Sequence, residues 1–108
     1  MERIDIPQGT LELLILTIVQ RQPLHGYGIA QALADHTQGV FQVNAGSLFP
    51  ALYRLEADGI LKAEWGATEN NRSAKYYRLT AAGKKRLASE KKRWERITQA
   101  VARVQEAT

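Results

Sequence analysis

The apolar residues of this chain change their period at Gly59. Before it they recur at helical spacing. After it, Leu61, Ala63 and Trp65 alternate with Lys62 and Glu64, and Tyr77 and Leu79 alternate with Tyr76 and Arg78. Alternation of this kind marks a strand with one core face and one wet face. The polar stretch 66–74, containing Asn70, Asn71, Arg72 and Ser73, joins the two strands. The pattern therefore predicts a single hairpin projecting from an otherwise helical domain, with Trp65 on its core face as a structural residue.

Three helical segments precede the hairpin. From Ile6 to about Gln20 the chain is apolar nearly all round, so the helix predicted there must be buried on most sides. A domain this small cannot supply that cover alone, and Leu14 and Ile18 are assigned to a surface met by a second subunit. Arg21-Gln22-Pro23 ends that helix, because proline disfavours helical geometry in the residue before it. His25-Gly26-Tyr27-Gly28 opens the next, with Ile29 and Leu33 inward, His25 orienting its start, and the helix fading near Thr37. In the third, Asn44 is the N-cap, Leu48, Leu52 and Leu55 form the buried stripe, and Gly59 is the C-cap.

Thr80 caps a last helix that runs to about Gln105. Its residues Leu87, Trp94, Ile97, Val101 and Val104 fit a heptad seam in which Glu90 is the one polar occupant. Little is left in the same chain for this seam to pack against, which argues for a homodimer; the alternative is that the helix folds back onto its own core. The order is helix, helix, helix, hairpin, long helix. That is a mainly α chain with a two-stranded β-wing: a winged helix-turn-helix over residues 1–80 and a C-terminal dimerisation helix over 81–108.

The third helix has an unusual outer face. Ser47, Phe49, Pro50, Tyr53 and Arg54 all fall off the leucine stripe. On a recognition helix each suits a duplex: Ser47 can hold a phosphate beside first-turn amides, Arg54 can fork onto guanine or pair with phosphate, and Phe49 and Tyr53 offer rings to bases. Pro50 suits the beginning of a helix. Three of these residues have a second reading: Phe49 and Tyr53, four apart, could pack under the wing or against a neighbouring helix, and Arg54 could pair with Asp58 one turn on. In the hairpin, Arg72 at the tip and Lys75 at the base suit a minor groove or a phosphate clamp.

Charge points the same way. The chain carries a net +4, yet ten basic residues lie between Arg72 and Arg96 against Glu90 and Glu95 alone, while the remainder is net negative. A basic segment of that size is a footprint for a polyanion, or else a solvated helix face. At 108 residues, with 44% hydrophobic and 24% charged residues, the chain makes one ordinary globular domain. It has no cysteine, which excludes disulfides and thiolate zinc sites and makes the reducing cytoplasm the expected setting. The longest apolar run falls far short of a membrane span, and the N-terminus does not have the pattern of a signal peptide.

An enzyme finds little support. His25 and His36 are the only histidines, and helical spacing holds them about 16 Å apart, too far to share a metal. No phosphate loop or nucleophile motif is present, so no catalytic residue, cofactor or metal is assigned. A third possibility is a winged-helix module that binds protein and not DNA, whose DNA affinity would show little salt dependence.

The stretches GTLELLILTIV, PLHGYGIAQAL, GSLFPALYRLEADGIL and KYYRLTAAGKK, in this order and spacing, resemble the PadR family of bacterial transcriptional regulators, in particular its short members with a single C-terminal helix. The resemblance runs from about Gly9 to Val101. It implies a winged-helix homodimer that represses transcription from an inverted-repeat operator. It places Tyr27, Ser47, Phe49, Pro50, Arg54, Arg72 and Lys75 at the DNA, and the first helix with the 87–104 seam at the dimer surface. Phe49 stands where the family commonly has tyrosine, and Gln8 where it often has a basic residue, which implies fewer backbone contacts than usual. Trp94, on the seam, is either dimer core or, paired with its symmetry mate, a site for a planar aromatic effector.

Overall fold

The computed structural model describes residues 2–107. Its elements are α1 (Leu11–Arg21), α2 (Gly26–His36), α3 (Ala45–Ala57), β1 (Leu61–Ala67), β2 (Ser73–Leu79) and α4 (Ala81–Ala107). The predicted order holds, and so do most boundaries, because local chemistry sets them. The Asn44 side chain accepts from the Ser47 amide, and the Thr80 hydroxyl accepts from the Gly83 amide, each satisfying a first-turn donor that lacks a helical partner. The ring Nδ1 of His25 does the same for the Gly28 amide at 2.9 Å, so His25 orients the start of α2 as expected. Gly59 adopts φ 73°, which closes α3 and turns the chain into β1.

The first helix begins later than its apolar pattern suggested. Ile6 to Gly9 is not helical: the Thr10 amide donates to the Pro7 carbonyl in a turn, and Gly9 takes φ 84°. Upstream of that turn the arm lies along the α2–α3 connection, with the Ile4 amide donating to the Val40 carbonyl at 2.8 Å.

One core serves all the elements. Leu13, Ile15, Leu16 and Val19 of α1 meet Ile29 of α2 and Leu48, Ala51, Leu52 and Leu55 of α3, closed by Ile60, Leu61, Tyr77 and Leu87. Leu14 and Ile18 are only partly buried, unlike their α1 neighbours. Leu87 departs from the dimer-seam expectation: it is 2% exposed within its own chain, because the first two turns of α4 lie against the core. Beyond Glu90 every described residue of α4 is exposed. The apolar seam that its own chain leaves open thus comprises Trp94 and Ile97, a little over a third exposed, and Val101 and Val104, more than half exposed.

The hairpin is antiparallel, pairing Leu61 with Leu79, Ala63 with Tyr77 and Trp65 with Lys75. Paired residues share a face. Near the body that face is core; at Trp65 it has left the core, and the indole is 71% exposed. The structural role expected for Trp65 is therefore corrected: the face was right, but the core does not extend beneath it.

Candidate nucleic-acid interface

The inner stripe of α3 is fully buried, which fixes the direction of its other side chains. Ser47, Pro50, Tyr53 and Arg54 are exposed on the outer side, and Tyr27 of α2 stands beside them, 74% exposed. Pro50 is the sixth residue of α3, just past its first turn; it lacks an N–H, so the Gly46 carbonyl goes without its usual helical donor.

Phe49 packs between helices. A methyl group on Gly26 would come within 2.5 Å of its ring, so the absence of a side chain at Gly26 is what lets α2 and α3 meet there. The ring also meets Tyr27 edge-on, with centroids 5.7 Å apart, and Tyr53 at 6.2 Å. Of the two readings of Phe49, this placement matches the packing one. The phenylalanine props up the exposed tyrosines on either side.

The charged residues divide into engaged and free. Arg54 pairs with Glu12 of α1 at 3.3 Å and not with Asp58. Glu12 also holds Arg86 of α4 at 3.0 Å, and Arg86 reaches Glu90 one turn on, so a single carboxylate ties α1 to both α3 and α4. Lys75 pairs with Glu56 of α3 at 3.3 Å, and Arg78 pairs with Glu64 across the hairpin. No ion pair among the described residues includes Arg72. The tip that carries it is built by Thr68, whose amide donates to the Arg72 carbonyl and whose hydroxyl accepts from the Arg72 amide, with Asn71 at φ 59°. A cleft of about 680 Å³, lined in part by Tyr27, Gln31, Arg72 and Tyr76, separates this tip from α2.

Three contributors escaped the sequence reading. Glu12 gave no signal, because its partners lie far away in sequence. Arg3 lies with Asn44 and Ser47 around a second cleft of about 280 Å³, brought there by the non-helical arm. Trp65 turned out to belong to the exposed face together with Tyr27 and Tyr53.

Burial raises the pKa of the Tyr77 phenol above 10.0, and the neighbouring Glu56 carboxylate and Tyr53 add to the effect. Among the described residues no three His, Cys, Asp or Glu side chains are placed to hold a metal, and no helix is long and apolar enough to cross a membrane.

Comparison with known proteins agrees with this architecture. Residues 15–89 match the transcriptional regulator PadR-like family. The transcriptional regulator Rv3488 of Mycobacterium tuberculosis is 31% identical over 90% of this chain and 87% of its own length. A PadR family transcriptional regulator from Eggerthella lenta is 33% identical and superimposes with a TM-score of 0.80, covering 94% of this chain and 86% of its own. A PadR-like regulator from Bacillus cereus superimposes at 0.77 with 27% identity, covering 90% and 92%. With a buried stripe on α3, a wing beside it and a family match over most of its length, this chain belongs to the PadR-like family of transcriptional regulators and is a regulator, not an enzyme.

Proposed function

We propose that the protein is a homodimeric repressor that binds an inverted-repeat operator, reading it with α3 and clamping it with the wing. The observation that carries this reading is the outer face of α3, polar and aromatic where its inner face is wholly buried, next to a wing tip whose Arg72 has no acidic partner among the described residues. Ser47, Tyr53, Arg54 and Tyr27 contact the duplex, with Arg54 exchanging Glu12 for a phosphate or a guanine edge. Arg72 enters the minor groove or grips its rim.

The exposed end of α4 supports the dimer. Trp94, Ile97, Val101 and Val104 leave a seam whose last member is 68% exposed, and the partly buried Leu14 and Ile18 give a second copy somewhere to rest. Trp94 borders a small cleft with Pro7, Gly9 and Leu13. A planar aromatic effector stacking on the two indoles of the dimer would act there, releasing the operator.

The test is a salt-titrated binding assay using the intergenic duplex beside the protein's own gene and a random duplex of equal length. Affinity should fall steeply with salt. Arg72→Ala should weaken both duplexes similarly and lower the salt slope by about 1, while Arg54→Ala should also reduce the preference for the intergenic duplex. Binding that is insensitive to salt and to both substitutions would point to a protein partner instead.

A further inference from the structure

Lys75 was expected to meet phosphate, yet its surroundings belong to the protein itself. Its ammonium lies 3.3 Å from the Glu56 carboxylate, 5.8 Å from the centroid of the Tyr53 ring and 6.0 Å from that of Trp65. Tyr53 and Glu56 are three apart on α3 and so project toward the same side. Trp65 is the direct cross-strand partner of Lys75 in the hairpin. A cation held between two ring faces and a carboxylate is thus the link that joins the wing to the recognition helix. Both Lys75 and Glu56 are about two-thirds shielded from solvent, their side chains being 34% and 33% exposed.

The position of this link along the strand matters. Two residues after Lys75, Tyr77 is anchored in the core and bridged to Leu24 through paired backbone hydrogen bonds. Arg72 lies three residues before Lys75, about 10 Å along an extended chain. Lys75 therefore stands where the hairpin leaves the body, between the core-anchored Tyr77 and the wing tip. The opposite face of the hairpin is steadied separately by Tyr76, whose ring meets His25 edge-on at 5.3 Å and whose hydroxyl donates to the Ala67 carbonyl.

We propose that Lys75 is a positioning residue: with Glu56, Tyr53 and Trp65 it sets the distance between α3 and the wing tip, and it strengthens DNA binding through Arg72 without pairing with phosphate itself. The affinity part of this inference rests on the DNA-binding reading above; the clamp itself does not. The two roles open to Lys75 predict opposite behaviour for Glu56. A phosphate-bound Lys75 gains when a competing carboxylate is removed, so Glu56→Gln would tighten binding or leave it unchanged. A clamping Lys75 loses its anchor, so Glu56→Gln weakens binding even though a negative charge has been taken away from the DNA face.

The experiment compares Lys75→Met, Glu56→Gln, the double variant and Lys75→Arg, each checked for helix content by circular dichroism. Duplex affinity is measured with the intergenic probe across a salt series. The Trp65 indole N–H resonance, assigned with Trp65→Phe, is followed in DNA-free protein, with the Trp94 resonance as internal reference. Lys75→Met and Glu56→Gln should each weaken binding about tenfold at an unchanged salt slope, and should each shift the Trp65 resonance. The double variant should be no weaker than either single one, and Lys75→Arg should recover most of the loss. The proposal is overturned if Lys75→Met lowers the salt slope by about 1 while Glu56→Gln fails to weaken binding, or if neither substitution moves the Trp65 resonance. Should the wild-type protein lack salt-dependent duplex affinity, the repressor reading fails, and the Trp65 resonance still decides the clamp.

Discussion

At Gly26 the start of α2 and the ring of Phe49 compete for one small volume, and the site is settled by the absence of a side chain. Gly26→Ala should push the ring aside and destabilise the domain by about 1–3 kcal/mol, the usual cost of overpacking, which urea denaturation would measure. Because Tyr27 and Tyr53 both lean on that ring, the same substitution should also weaken duplex binding. Tyr77 offers a test of a different kind. Its folded-state pKa is raised chiefly by burial, so the native state holds the phenolic proton more tightly than the unfolded chain does. The associated stability is present in full below about pH 10 and is lost as pH rises from there through the folded-state pKa. Thermal melts between about pH 9 and pH 11 should show a falling Tm, and Tyr77→Phe should flatten that fall; an equally steep loss in the variant would assign it to other groups.

The helices and the hairpin were legible in the sequence wherever the deciding chemistry is local. Asn44, Gly59 and Thr80 act on residues within a turn of themselves or through their own backbone, and all three do what their types suggest. The start of α1 was not legible, because Ile6 continues an apolar pattern although Pro7 and Gly9 lie in a turn. Trp65 shows another limit. Alternation tells which face a strand residue shares, but how far the core reaches under that face depends on other elements, and here it stops beneath Ala63 and Tyr77. The charged residues of the site show a third. The sequence offers Arg54 only the nearby Asp58 and Lys75 no partner at all, yet Arg54, Lys75 and Arg86 each meet a carboxylate on an element distant in sequence. Of the two arginines assigned to DNA, only Arg72 keeps its guanidinium outside the ion pairs among the described residues.

For the whole molecule, the basic excess and the exposed end of α4 belong together. A helix of this length carries its last apolar residues well beyond the core, where the proposed dimer would cover them. Val101→Glu should place a charge in that seam and shift the protein from dimer toward monomer, read by light scattering at several concentrations; an unchanged dimer would move the interface elsewhere. Leu87→Ala should behave differently, costing about 2–5 kcal/mol of domain stability, because that leucine is core within its own chain. Finally, between the wing and α4 there is only Thr80, whose hydroxyl lies within hydrogen-bonding reach of the Gly59 and Ile60 carbonyls and of the Gly83 amide. On the proposed reading, a twist applied to the long helix would reach the wing through this one residue.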